Sequence, residues 1–171
     1  MTQQVNAIVR RMNELPKVFS KRERRRVLRK AGKAVVESAK AKAPVSPRAH
    51  FRYSTPKLIG KLKAPKGSGV IAATYKPGNL RASIRVLTFR RADEAVFVGP
   101  KLAKRNQSKE FGPGTGSVDG FYAGFVEFGT VHAPARPFMR PAWDATKDET
   151  LRIIVAEAEK MFKKYAQQLP Q

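Results

Sequence analysis

Few residues in this chain have the type and spacing that chemistry requires. His132 lies five positions after Glu127, in a stretch that also holds Asp119. Such a set would read as a metal-dependent nuclease site only if a further ligand converged on it, because a bound metal normally needs three or more. The one other imidazole, His50, sits far away in a basic stretch. Glu127 is more simply paired with Arg136 or Arg140. Gly112-Pro113-Gly114-Thr115-Gly116 is glycine-rich but lacks the Gly-Lys-Ser/Thr ending of a phosphate-gripping loop, so it reads as a flexible tip. No serine, threonine or lysine stands in a context that marks a nucleophile. The expectation is a protein with no catalytic residues, no cofactor and no metal.

Charge is a stronger signal. The 171 residues include 35 lysines and arginines against 13 acidic residues, a formal +22 with a pI near 10.9. Such a surface favours polyanions: nucleic acid, an anionic membrane or an acidic protein. From Ser38 to Ala92 there is no acidic residue at all. Within that interval His50, Phe51 and Tyr53 are interleaved with basic groups, a mixture suited to nucleic acid but equally able to pin a loop to its domain. Arg48, Arg52, Lys57, Lys61, Lys63 and Lys66 are the candidate contacts to DNA or a partner. The second cationic cluster, Arg22 to Lys33, is either a solvated helix face or another polyanion contact. Cysteine is absent, which excludes disulfides and thiolate metal sites. Neither a signal peptide nor a run of ~18 apolar residues is present, so no membrane association is expected.

The elements that would position these groups are legible from periodicity. Val5, Ile8, Val9, Met12 and Leu15 recur at helical spacing until Pro16. Ser20-Lys21-Arg22-Glu23 has the form of a capping box opening a second helix to about Lys42, with a small-residue stripe on Val27 or Leu28, Ala31, Ala34 or Val35, and Ser38 or Ala39. Residues 46–69 read as a loop, broken by proline and glycine, and Val70–Tyr75 as a short strand or loop arm. Ser83–Arg90 and Ala95–Gly99 read as two strands joined by a polar turn. Residues 101–118 form a glycine-rich, mobile loop, and a long helix runs from about Pro141 to Gln167 with Leu151, Ile154, Val155, Ala158, Phe162 and Tyr165 buried. One domain over 1–171 is expected, with 46–76 as a basic insertion. The class is α+β: N-terminal helices and a long C-terminal helix packed on a small antiparallel sheet, with two long loops.

The anchor of this arrangement runs from Asp119 to Trp143. Tyr122, Phe125, Val126 and Phe128 are expected to carry burial, Gly129 to permit a turn, and Arg136, Pro137 and Phe138 to return the chain to the core. Tyr122 to Thr130, followed by Ala135 to Ala142, resembles the signature of a bacteriophage structural family. Its members are the small neck or tail-completion proteins of long-tailed phages, typified by the gene-ten product of an HK-type lambdoid phage. Ala39 to Val45 resembles that family's first helix end. Leu80 to Ile84 with Val96 to Pro100 resembles its central hairpin. About thirty residues separate these two segments here, where family members commonly have a short Thr-Gly turn.

The resemblance implies a structural subunit of the head–tail connector. It would assemble with copies of itself into a ring, expected to be a hexamer, around the DNA channel. Its partners would be neighbouring neck, head-completion and tail proteins and DNA, and its location the virion, after assembly in the host cytoplasm. The competing readings are an independent basic nucleic-acid-binding protein and an enzyme acting on nucleic acid.

Overall fold

A computed structural model of the chain describes residues 20–54, 70–88, 95–103 and 109–167. The expected first helix, the turn at 91–94, and Lys57, Lys61, Lys63 and Lys66 lie outside these residues. In order, the described elements are helix α1 (Lys21–Lys42), strands β1 (His50–Ser54) and β2 (Val70–Tyr75), helix α2 (Asn79–Ser83), strands β3 (Ile84–Leu87), β4 (Phe97–Pro100) and β5 (Glu110–Phe111), and helices α3 (Ala123–Phe128) and α4 (Met139–Ala166). The class is α+β. The chain forms two compact units: Met1–Ser38, Val86–Val98 and Arg140–Gln171; and Ala39–Arg85 and Gly99–Met139.

The first unit is built on two long helices. The N-terminus of α1 is fixed by the capping box its sequence announces: Ser20 Oγ accepts from the Glu23 amide (3.3 Å), while the Glu23 carboxylate accepts from the Ser20 amide (3.1 Å). Val27, Ala31 and Val35 are buried at successive i+4 steps. Gly32 lets α1 approach the strands closely, because a Cβ there would stand 3.3 Å from Val86 and 3.4 Å from Val98. Arg22, Arg26, Arg29 and Lys33 are exposed at i, i+4, i+7 and i+11, a cationic stripe opposite the small-residue one. Glu23 meets Tyr165 and Lys30 meets Glu157, so α1 and α4 run antiparallel, about two turns separating the pairs on each helix. The start of α4 is packed through Ala142, Thr146 and Thr150. Thr146 Oγ1 donates to the Ala142 carbonyl at 2.8 Å, which satisfies its hydroxyl inside the helix. Its later stripe departs from expectation. Leu151, Ile154, Ala158 and Tyr165 are half-buried, while Val155 and Phe162 are exposed.

In the second unit β1 pairs antiparallel with β2, with a bulge between Arg52 and Tyr53, and β2 pairs parallel with β5 through Thr74–Glu110 and Tyr75–Phe111. The sheet is therefore mixed, and part of the expected 46–69 loop is strand. The glycine-rich tip is a bonded turn, in which Thr115 Oγ1 donates to the Gly112 and Ser117 carbonyls, each at 2.8 Å. Ser83, expected to open a strand, instead ends α2, and β3 begins at Ile84.

The anchor is corrected in one respect. Phe125 and Phe128 are 59% and 68% exposed, and burial on α3 falls on Ala123 and Glu127 instead. Trp143, at the end of the same stretch, is exposed too. Phe138 is fully buried. Gly129 has φ 77° and ψ −179°, a region that only glycine occupies without strain, and a Cβ there would meet the Ala135 amide nitrogen at 2.8 Å.

Two outcomes follow. Phe138→Ala should cost ~3–5 kcal/mol in chemical denaturation, and Gly129→Ala ~1–3 kcal/mol; a loss within experimental error for both would remove this stretch as the anchor. In the first unit, the Tyr165 hydroxyl, followed by Ser20, holds the Glu23 carboxyl below its ordinary 4.5. A lowered carboxyl contributes stability that is complete above its unfolded value and fades as pH falls through the folded one. Tyr165→Phe should flatten the acid limb of stability against pH below about 4.5. Superimposable acid limbs would count against the clasp.

Candidate functional site

The most built-up part of the second unit begins at Pro77-Gly78, whose left-handed Gly78 (φ 79°) turns the chain out of β2 and into α2. That turn delivers Asn79, which is fully buried, to Asp119. Asn79 Nδ2 donates to the Asp119 carbonyl at 2.6 Å, and the Asp119 amide donates back to Asn79 Oδ1 at 3.1 Å. Nδ2 also donates to the Tyr122 hydroxyl at 3.1 Å. The Asp119 carboxylate collects three more donors: the Ala103 amide (3.0 Å), the Phe121 amide (3.2 Å) and the Tyr75 hydroxyl (3.2 Å). Burial, followed by the Asp119 charge, pushes the Tyr75 hydroxyl up; burial also raises that of Tyr122. Both phenols are thereby held as neutral donors and acceptors in the network.

Aromatic packing continues outward from this core. The Tyr75 ring stacks on Phe111 at 5.4 Å and meets Phe121 and Tyr122 at 5.4 and 5.6 Å. The Arg52 guanidinium lies 5.1 Å above the Phe121 ring. Beyond them opens a groove of about 600 Å³ between the segment after α1, strand β1, the Pro77–Gly78 turn and the α3 region. Val45, Phe121 and Phe125 bring exposed apolar surface to it, and Arg52, Lys76 and Arg136 bring charge.

The opposite end of α3 is closed by Glu127. It ties the two halves of the anchor through backbone, its Oε2 accepting from the amides of Phe138 (2.8 Å) and Met139 (3.0 Å). The Arg136 amide donates to the Val126 carbonyl at 2.8 Å, and Thr130 and Ala133 bridge the intervening turn. Val131 at the tip of that turn is 98% exposed.

The structure therefore distributes the residues singled out in the sequence as follows. Tyr122, Phe125, Glu127, Phe128, Gly129, Arg136, Pro137 and Phe138 occupy one continuous segment in which Glu127 and Phe138 are buried and Pro137 and Arg136 are exposed. Of the six basic candidates, Arg48 and Arg52 are described; both are exposed, and only Arg52 lines the groove. Among the described residues no group of three or more His, Cys, Asp or Glu could hold a metal ion, and no helix is long and apolar enough to cross a membrane. Asp119 serves the network above. Asn79 was not singled out by its sequence context, whose one local signal is the preceding Pro-Gly turn.

The network should behave as one unit. Asn79→Ala and Asp119→Ala, measured singly and together by denaturation, should couple by ~1–3 kcal/mol. Simple additivity would show that the two residues act independently.

Comparison with protein families finds one described as "Bacteriophage HK97-gp10, putative tail-component", whose model matches residues 6–129. The match covers the described elements from α1 to α3 and ends at Gly129, before the Ala135–Ala142 half of the anchor. Comparison with curated proteins and with solved structures finds no significant match.

Proposed function

The chain belongs to the HK97-gp10-like family of bacteriophage tail components, with a structural role in the virion among other virion proteins, and from that premise we propose that it is a subunit of the head–tail connector. In this reading it is a neck or tail-completion protein. It assembles with copies of itself into a ring, with six as the expected number, and the ring joins head to tail around the DNA channel. A structural role of this kind calls for no catalytic residues.

The observation that carries the reading is the amount of large apolar surface left open in a single chain. Phe128 and Val131 stand three positions apart in one short segment of the second unit, each more than half exposed. Val155 and Phe162, about two turns apart on α4, are exposed to 39% and 41%. Contiguous exposed apolar groups on a soluble chain mark contact surfaces, and a ring subunit needs them towards neighbours on either side. The cationic stripe on α1 supplies a complementary feature. Arg22, Arg26, Arg29 and Lys33 present four charges along about three turns, a geometry that can follow a phosphate backbone. The charge also supports the second reading, a freely acting nucleic-acid-binding protein, but that reading leaves the open apolar groups without a purpose.

Antibody labelling of intact virions should place the protein at the junction of head and tail, and purified protein should form closed rings. Label distributed along the tail shaft, or a strictly monomeric protein at high concentration, would reject the connector reading. If the α1 stripe faces DNA, replacing its four cations with glutamine should reduce the slope of log K against log salt by about 3–4. An unchanged slope would remove α1 from the channel lining.

A further inference from the structure

We propose that the groove beside β1 seats an extended acidic segment bearing leucine or aromatic side chains, contributed by a neighbouring virion protein. The proposal rests on the reading of this chain as a virion structural subunit and names the chemistry of one of its partners.

The charge distribution selects the occupant. The unit formed by Ala39–Arg85 and Gly99–Met139 carries sixteen lysines and arginines but only three acidic residues, Glu110, Asp119 and Glu127. Asp119 and Glu127 are buried, and their carboxylates are directed at backbone amides. Glu110 faces Lys76 at 3.4 Å. The outward field of this unit is therefore almost entirely positive. A second copy of the same chain, itself at +22, would bring like charge to the groove. An acidic segment meets a complementary surface.

The apolar part of the lining then narrows the choice among anions. Val45, Phe121, Phe125 and Val126 give the groove an apolar character that a bare polyanion cannot use, and about 600 Å³ is the size of built ligand sites. The cations Arg52, Lys76 and Arg136 line the same groove. Arg52 already lies against one face of the Phe121 ring, so its guanidinium is held in place with donors left for a carboxylate. Arg136 lies on the exposed return from the Gly129 turn, on the α3 side. A segment alternating acidic with apolar residues matches this mixed lining, its carboxylates meeting the cations and its apolar groups the apolar residues. Strand β1 reinforces an extended conformation. Among the described residues it is an edge strand, paired only with β2, and His50, Phe51 and Arg52 border the groove. An incoming strand can add to such an edge through main-chain hydrogen bonds.

The test uses purified full-length protein and fluorescence anisotropy with four labelled probes. The first is a dodecapeptide alternating glutamate with leucine and phenylalanine. The others are its lysine-for-glutamate counterpart, an oligoglutamate of equal length, and a single-stranded DNA of twelve nucleotides. The first peptide should bind well above the other two peptides. Phe125→Glu should weaken it at least about tenfold, and so should the pair Arg52→Glu with Arg136→Glu. All three side chains are exposed, so the fold should survive, which circular dichroism checks. The pair Arg152→Glu with Lys163→Glu alters charge equally on the exposed surface of α4 and should change affinity less than about twofold.

Oligoglutamate binding as tightly as the mixed peptide would reduce the effect to bulk charge and overturn the proposal. So would wild-type affinity in the groove variants. Loss of DNA binding without loss of peptide binding in those variants would assign the groove to nucleic acid. The peptide measurement is independent of particle location. Its failure beside correct labelling at the head–tail junction would sink only the groove proposal, and the reverse pattern would sink only the connector reading.

Discussion

Asn79 and Asp119 lie forty positions apart, and the second unit is closed by the bonds between them. The interaction is reciprocal: each residue both donates and accepts, so neither can move without leaving a buried polar group unmet. An unmet buried group costs more than an average hydrogen bond contributes, which makes such a pair a constraint on geometry rather than a simple increment of stability. Asp119 extends the constraint in three directions. It holds the segment after β4 through Ala103, the start of the anchor through Phe121, and the sheet through Tyr75. Next to it, Gly120 lies so close to Pro100 that a Cβ would collide with the proline Cβ and stand 2.7 Å from Ser83 Oγ. The groove inherits its shape from this junction, since Phe121 and Tyr122 leave it on one side and Arg52 is drawn over Phe121 on the other.

Glu127 performs the complementary task at the far end of the anchor. Its carboxylate meets the amides of Phe138 and Met139 where the backbone enters α4, a position in which a helix offers unpaired N–H groups. Negative charge is favoured there by the helix dipole as well. One acidic side chain therefore fixes the excursion from Gly129 to Pro137, and it does so from a short helix whose other residues are largely open. In a chain with only 13 acidic residues, spending two of them on buried backbone contacts leaves the surrounding surface markedly cationic. Structure and charge are linked in this way in the second unit, where the two acidic groups that hold backbone, Asp119 and Glu127, are withdrawn from the surface.

Local chemistry was legible in the sequence wherever it was self-contained. The capping box at Ser20 and Glu23, the small-residue stripe of α1, the strand at Val70–Tyr75 and the long final helix all depend on neighbours within a few positions. The family signature was legible for the same reason, and the family match covers residues 6–129. What escaped was non-local. Residues 46–69 look broken because Pro47 and Pro56 flank β1, yet His50–Ser54 is recruited by β2 across a long connection. Phe111 lies in a glycine-rich stretch and is buried where β5 pairs with β2 and its ring stacks on Tyr75. The Asn79–Asp119 pair leaves no periodic trace, since its bonds involve one side chain and one backbone. Phe125 and Phe128 were misread in the opposite sense, because hydrophobicity reports a tendency to be covered and not which molecule provides the cover.

That last distinction bears on how the two kinds of surface in this protein divide their work. An apolar group exposed on an isolated chain favours association with little regard to partner, while like charge suppresses contact between equal surfaces. Phe125 is exposed among the groove's cations, whereas Val131 stands at the tip of a turn, Gly129 to Pro134, without lysine, arginine, aspartate or glutamate, whose Thr130, Ala133 and Pro134 line the edge of the same groove. The uncharged turn can therefore meet another copy of the chain without repulsion at the point of contact. The groove is bordered by Arg52, Lys76 and Arg136, a charge that disfavours such a copy and suits the proposed acidic partner. An uncharged apolar tip beside a cationic groove would let one short segment serve contacts of two kinds, which is what the proposed connector role calls for.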